Sequence, residues 1–358
     1  MRLKHLWHKY LHHQKRILCA VLTFTALCAS AKDSTVTLPQ SPPPLSVVEA
    51  EVAQAQKDFE IAKKLFNPWY AGPLLTGSAQ NIPPGHFNIQ PYLFVTTTYA
   101  QFGRDRKSRS ISNIVTVNPV FVYQMGWFSW LDFSVILSAL YNQQAGQKSA
   151  YLGDTQMNWG IPLMVETPYH PALRFSVFVT FPTGRYNHLN PTKNGIDATG
   201  AGSYQTTFSV NMSKVFWQIP THPFRLRFAF NYTIPSTVQV RRFNAYGGGF
   251  GTRGRVRPGN FLEVDSSIEW SFTKKWVLAV DFVYTYGNHA TFSGYRGVNT
   301  DGSPARIGAP SSESFSIAPA IEYNPTHSLG ILAGGWVALT GRNADRFAAG
   351  IITATYYW

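Results

Sequence analysis

Between Phe224 and Ile234 every second residue is apolar and most are large. Phe224, Leu226, Phe228, Phe230, Tyr232 and Ile234 share one face, and Arg225, Arg227, Ala229, Asn231 and Thr233 share the other. A period of two belongs to a strand, whose successive side chains point to opposite faces, and not to an amphipathic helix. Tyr204, Thr206, Phe208, Val210 and Met212 alternate with Gln205, Thr207, Ser209, Asn211 and Ser213 in the same way. So do Leu262, Val264, Ile268, Trp270 and Phe272 against Glu263, Asp265, Ser267, Glu269 and Ser271. Followed along the chain, the alternation predicts twelve strands, near 87–98, 113–124, 130–142, 154–166, 172–182, 203–215, 224–234, 260–272, 276–286, 314–323, 328–339 and 346–358.

Most of these runs match the ~9–11 residues that a tilted strand needs to cross a hydrocarbon core. A soluble sandwich or lipocalin-like barrel also alternates, but its outer faces are polar; here every strand carries an apolar face. The expected fold is therefore all-β, a transmembrane antiparallel barrel of about twelve strands. The connections support it: short ones at 125–129, 167–171, 216–223, 273–275 and 324–327 alternate with longer ones near 99–112, 143–153, 183–202, 235–259, 287–313 and 340–345. Short turns at one end and long loops at the other are the pattern of outer-membrane barrels, and both barrel termini fall at the short-turn, periplasmic end. Tyr123, Trp127, Phe128, Trp130, Tyr169, Phe216, Trp217, Phe224, Phe272, Trp276, Tyr323 and Trp358 cluster at that end, as an aromatic girdle at headgroup level would. The terminal Tyr356 and Trp358 also have the form of the signal that barrel-insertion machinery reads.

The first 31 residues read differently. Arg2, Lys4, Lys9, Lys15 and Arg16, with no acid, precede an apolar run from Ile17 to Ala29 and the small residues Ala29-Ser30-Ala31. That order predicts a secretory signal peptide, 1–31. It holds both cysteines and five of the 31 basic residues, so the exported chain has no cysteine and carries 26 basic against 18 acidic residues, a net +8. Disulfides, thiolate metal sites and a cysteine nucleophile are thereby excluded, and no cofactor or metal site is expected. In a Gram-negative envelope the nearest polyanion for a basic surface is lipopolysaccharide phosphate rather than nucleic acid.

Residues 32–85 form a second region. A polar stretch ending in "SPPP" reads as an extended linker. Ser46 and Glu49 make a capping box, and Val48, Val52, Ala55, Phe59, Ala62 and Phe66 follow at helical steps. Such a stripe either docks on the rest of the protein or pairs with copies of itself through the 46–66 helix. The following "NPWYAGPLLTGSAQNIPPG" is too rich in Gly and Pro for regular structure. Residues 86–358 are the barrel.

Several phrases within the barrel, "PPGHFNIQPYLF" at 83–94, "LGDTQMNWGIPL" at 152–163 and "FPTGRYNHLNPTKNGIDATGAGSY" at 181–204, together with the terminal aromatic strand, carry a resemblance to a known group. The chain resembles the outer-membrane barrel family associated with the MetA pathway of phenol degradation. That resemblance implies a barrel and a transport role, with the phenol link inherited by similarity.

On the polar faces, parity points Asp132, Arg174, Arg225, Arg227, Glu263, Asp265, Glu269, Asp281 and Glu322 into the lumen. They either line a channel whose field orients polar solutes or pair across strands and fill the interior. The loop Arg241–Pro258 carries Arg241, Arg242, Arg253, Arg255 and Arg257 without an acid, and its glycines allow flexibility. It either dips into the pore as an anion-attracting constriction or binds lipopolysaccharide outside, a role that also suits Arg104, Arg106, Lys107 and Arg109. The expectation is a non-enzymatic outer-membrane channel or transporter for passive uptake of small, aromatic or hydrophobic, solutes, with outer-membrane lipid as its surroundings. The alternatives are an adhesive or structural barrel, or a lipid-modifying enzyme using Asn288, His289 and Ser293.

Overall fold

The computed structural model describes residues 44–65, 70–167, 169–216 and 222–358. The predicted signal peptide and linker, and the girdle residue Trp217, lie outside the described residues. One helix, α1, covers Leu45–Leu65. The amides of Val47 and Val48 both donate to the carbonyl of Pro44, so the helix starts one residue before the expected cap and takes Ser46 into its first turn. Leu45, Val48 and Val52 on its apolar stripe are exposed. No described helix is long and apolar enough to cross a membrane.

The strands are β1 (Phe87–Phe102), β2 (Ser108–Phe128), β3 (Leu131–Gln144), β4 (Gln147–Leu152), β5 (Thr155–Met164), β6 (Ala172–Phe181), β7 (Gln205–Phe216) and β8 (Phe224–Pro235). They continue as β9 (Val238–Arg241), β10 (Arg253–Arg257), β11 (Phe261–Ser271), β12 (Trp276–Gly287), β13 (Thr291–Tyr295), β14 (Ser312–Tyr323), β15 (Leu329–Arg342) and β16 (Ala344–Tyr357). Twelve of them form a closed antiparallel wall in the order β2-β1-β16-β15-β14-β12-β11-β8-β7-β6-β5-β3, completed by pairing of β2 with β3. All twelve predicted strands are present. The short strand β4 folds back on the far half of β3, within a segment expected to be loop.

Closure between first and last strand depends on the aromatic terminus. Trp358 and Phe87 exchange backbone hydrogen bonds of 2.9 and 3.1 Å, Asn88 faces Tyr357, and the Trp358 ring stacks 5.6 Å from Phe87 and 5.5 Å from Tyr356. A strand that stopped two residues earlier would leave Phe87 unpaired at the seam. Several other girdle residues form ring pairs between neighbouring strands or across turns: Phe128 with Trp130, Phe216 with Phe224, and Trp276 with Tyr323.

The alternation sorts solvent from interior as expected. Phe208, Met212, Phe228, Phe230, Ile268, Phe282, Ile321 and Ile352 are exposed on the outside. Their inward neighbours Ser209, Asn211, Arg227, Ser267, Asp281 and Thr353 are buried. A largely apolar exposed belt is unfavourable in water and suited to hydrocarbon. At about 3.3 Å per residue, the twelve residues of β8 reach ~40 Å, or close to 28 Å along the normal once tilted about 45°.

The connections depart from expectation at the long-loop end. Residues 99–112 are mostly strand, leaving a tight turn at 103–107, and β15 and β16 are separated by Asn343 alone. The truly long connections are 182–204, 236–260 and 288–311. Two of them are ordered as a second antiparallel sheet, β13-β10-β9, so the arginine-rich loop expected to be flexible is largely strand. Val238, Val240 and Val256 on one face of this sheet are buried against Tyr186, Tyr246, Ala290, Phe292 and Ile307. That apolar contact outweighs the flexibility its glycines would otherwise confer.

Candidate functional site: a lumen crossed by an internal segment

The site is the barrel interior, and its first feature is residues 70–84. This stretch has no helix or sheet in which to pair its amides, and a buried unpaired N–H costs about as much as a lost hydrogen bond. The lumen carboxylates receive them. Asp281 on β12 accepts from the amides of Leu74 at 3.0 Å, Leu75 at 3.4 Å and Thr76 at 2.9 Å, and from the Thr76 hydroxyl at 2.6 Å. Glu322 on β14 accepts from the Ala71 amide and from Asn324 Nδ2 at 2.7 Å. Asp132 on β3 accepts from the Ile82 amide at 3.0 Å and from Arg174 at 2.5 Å. Strands β12 and β3 lie six places apart in the ring of twelve, so the segment spans the lumen from one side to the other.

Both ends of the segment are anchored near the short turns. The Tyr70 hydroxyl donates to the carbonyl of Pro223 at 3.1 Å and accepts from the Ser271 hydroxyl at 3.0 Å, while the Arg225 guanidinium lies 4.4 Å over its ring. At the other end Asn81 Nδ2 donates to the carbonyl of Gly160 at 2.8 Å, and Pro84 bridges to Gly126. Between them Leu74 packs into a buried apolar cluster with Ala279, Ala318, Ala320, Leu332 and Ile351, drawn from four wall strands.

Three wall glycines, Gly126, Gly330 and Gly334, make room for it. A Cβ on Gly126 would strike the backbone of Ile82 and Pro83, one on Gly330 would strike Ala71, and one on Gly334 would meet the Pro319 carbonyl oxygen and lie 2.8 Å from the Leu74 methyl and from Ala320. Replacing Gly334 with Val is expected to displace Leu74 and to cost on the order of 1–3 kcal/mol, the usual cost of overpacking. The check is chymotrypsin cleavage within 70–84 of the reconstituted chain, which should accelerate. An unchanged rate would mean that the segment does not depend on this fit.

The inward charges therefore divide. Arg174 pairs with Asp132, and Arg227 pairs with Glu269 at 2.6 Å, both pairs almost fully buried. Asp281 and Glu322 hold backbone. These five, with Asp132, fill and pin the interior instead of facing open water. Arg225, Glu263 and Asp265 line the remaining space, a cavity of ≈ 1130 Å³ bounded by residues 70–84 and the wall, and the paired Arg174 and Arg227 border it as well. Arg225 stands opposite Glu269 near the short turns, whereas Asp265 and Glu263 stand opposite Ala229 and Asn231 farther along the axis. These three charges are thus staggered along two neighbouring strands. Tyr92, Val122, Ile136 and Phe178 share the lining with Asn158 and Asn211, so the cavity wall is both apolar and polar.

The loop candidates divide too. Arg106 and Arg342 pair with Glu313, and Arg109 pairs with Asp105 at 2.8 Å, a hydrogen bond that holds the Asp105 carboxyl below its usual range. Arg104 and Lys107 are exposed in the 103–107 turn, and Arg242 is exposed at a positive φ of 54°. Arg241, Arg253, Arg255 and Arg257 are exposed on the three-stranded sheet, and none lines the cavity, so no arginine constriction forms there. Asn288 and His289 are exposed beside β13 and Ser293 faces Arg255 within it; among the described residues no hydrogen bond joins the three side chains. The sequence reading missed the residues that matter most to the interior, Ala71, Leu74, Thr76 and Ile82. Their only sequence signal is a Gly- and Pro-rich stretch without periodicity next to the first strand.

Comparison with known proteins places the architecture. No protein-family model matches the chain, and no curated protein matches it by sequence. Among solved structures, it is similar to the COG4313 outer membrane channel from Pseudomonas putida F1, with a TM-score of 0.62 and 12% identity over 80% of this chain and 100% of that one. The beta domain of the Bordetella autotransporter BrkA (TM-score 0.41, 9% identity, 77% of this chain and 100% of that one) and the TodX monoaromatic hydrocarbon channel (0.36, 12%, 77% and 90%) superpose too loosely to bear on it. At such identity the likeness speaks to fold alone: this chain has the closed twelve-stranded architecture of an outer-membrane barrel.

Proposed function

We propose that this protein is an outer-membrane channel giving passive passage to small solutes that carry an aromatic or apolar part. In this reading residues 70–84 form the closure at its periplasmic end. The observation that carries it is a cavity of ≈ 1130 Å³ inside a wall whose outer belt is apolar, crossed near the short-turn end by a segment with no regular structure. A purely structural or adhesive barrel needs no such interior. The mixed lining of Tyr92, Phe178, Asn158 and Asn211 suits a solute with one apolar and one polar side. The COG4313 protein of similar fold is an outer-membrane channel, and the resemblance to the MetA-pathway barrels points toward the same class of role.

The test is single-channel recording in a planar bilayer, on the full chain and on a chain lacking 70–84. Stepwise currents are expected, several-fold larger after the deletion because the obstruction across the lumen is gone. No steps from either protein would remove the channel reading. Millimolar phenol in the bath is expected to reduce the open current of the deleted chain. Current indifferent to phenol, but reduced by a sugar of similar size, would remove the preference for aromatic solutes.

A further inference from the structure

The three-stranded sheet at the long-loop end has a second face. Strand β10 is its centre, and its register sets Arg253 between Arg241 and Tyr295, Arg255 between Gln239 and Ser293, and Arg257 beside Thr291. Because Val238, Val240 and Val256 point to the buried side, Arg241, Arg253, Arg255 and Arg257 all point to the exposed one. Alternate residues of one strand stand about 7 Å apart and directly paired residues about 5 Å apart, so the four guanidinium groups share a patch ~15 Å long. No acid stands on this face, and among the described residues none of the four has an ion-pair partner.

Such a patch is unfavourable by itself. Arg253 and Arg241 are directly opposite, and like charges in that relation repel. Surface arginines usually relieve repulsion by moving apart, but here the backbone beneath them is fixed by the valine face and by hydrogen bonds to the neighbouring loop. The Arg241 amide donates to Asn187 Oδ1 at 2.9 Å and Asn187 Nδ2 donates to the Gln239 carbonyl at 2.9 Å. An anion bearing more than one phosphate is the ligand whose charge and bidentate geometry match several fixed guanidinium groups at once.

The position selects which phosphates. Strand β9 begins three residues after β8 ends, β10 ends four residues before β11 begins, and β13 begins four residues after β12 ends. The sheet repeats the order of these three wall strands, so it extends one sector of the wall. At ~3.3 Å per residue its basic face starts within about 17 Å of the last outward apolar residues, Ile234, Leu262 and Tyr284. We propose that the Arg241–Arg253–Arg255–Arg257 face is a docking site for the phosphorylated headgroup of the outer-leaflet glycolipid. This rests on the reading that the barrel lies in the outer membrane with its long loops outward, and not on solute passage.

The experiment uses the full chain in nanodiscs of phosphatidylcholine, with native mass spectrometry counting bound lipid. The probes are diphosphoryl lipid A, its dephosphorylated form, inorganic phosphate, and a single-stranded DNA oligonucleotide. The wild-type chain is expected to retain diphosphoryl lipid A in preference to the dephosphorylated form. The variant R241Q/R253Q/R255Q/R257Q should retain it about tenfold less, since each lost guanidinium removes a charge-assisted contact. Unaltered strand content by circular dichroism and unaltered conductance in the same variant would show an intact barrel, so a silent channel and a failed docking site are told apart. The proposal is overturned if the variant holds lipid A as well as the wild type does, or if both lipids bind equally. It is also overturned if millimolar inorganic phosphate displaces the lipid, or if the oligonucleotide binds as tightly.

Discussion

Asp281→Ala is expected to release the internal segment. The Asp281 carboxylate receives three backbone amides and one hydroxyl from Leu74, Leu75 and Thr76, and hydrogen bonds to a charged group contribute about 1.5–3 kcal/mol each. These bonds are not additive, and water entering the cavity would satisfy part of the loss. A net change on the order of 3 kcal/mol is therefore expected, equivalent to about a hundredfold shift toward the undocked state. The measurement is thiol labelling of an Ala79→Cys reporter in a chain expressed without residues 1–31, which hold the only two cysteines. Ala79 is buried, so its label should be slow in the parent and faster by about the same factor in the variant. Conductance should rise in parallel. Asp281→Asn, which keeps one acceptor oxygen, should fall between the two. Labelling and conductance both unchanged in Asp281→Ala would mean that Leu74 and the other carboxylates hold the segment without it.

The second large effect concerns the outer wall. Phe228 lies midway along β8, exposed on the outer face between Met212 of β7 and Ser266 of β11. Phe228→Arg is expected to destabilise the folded barrel by about 2–4 kcal/mol, the cost of an arginine on the lipid face at mid-depth. The same change at Ile234, near the rim of the same strand, should cost about 0–1 kcal/mol because a rim arginine reaches the headgroups. Guanidinium titration of folding into phosphatidylcholine vesicles gives both values. A flat response along the strand would mean that this face does not meet hydrocarbon.

These two positions illustrate what could be read in advance. Phe228 declares its surroundings within five residues either side, because strand alternation is local and every outward apolar residue repeats the same statement. All twelve wall strands were legible for this reason, and so was the seam, where Tyr356 and Trp358 extend the last strand far enough to meet Phe87. Asp281 could be placed inward by the same parity. Its task could not, since its partners lie 205–207 residues away in a stretch with no pattern of its own. Nor could parity distinguish Arg227, closed into a buried pair with Glu269, from Arg225, which stacks over the ring of Tyr70.

The long loops show the limit from the other direction. Glycine content in 241–258 suggested flexibility, but Val238, Val240 and Val256 find an apolar partner in loops from elsewhere in the chain and order the segment as a sheet. Local composition weighs what a segment can do alone, and this segment is not alone.

The amino-acid sequence by itself determined which solvent each strand face meets, how many strands close the wall, and which charges turn inward. These are consequences of period-two geometry and of the cost of placing charge in hydrocarbon. Only the tertiary structure decided that the interior is crossed by residues 70–84 and that carboxylates from opposite sides of the barrel receive its amides. It also decided that four arginines gather on one ordered face. Each of these depends on pairings across tens to hundreds of residues, set by where closure of the barrel brings the chain back to itself.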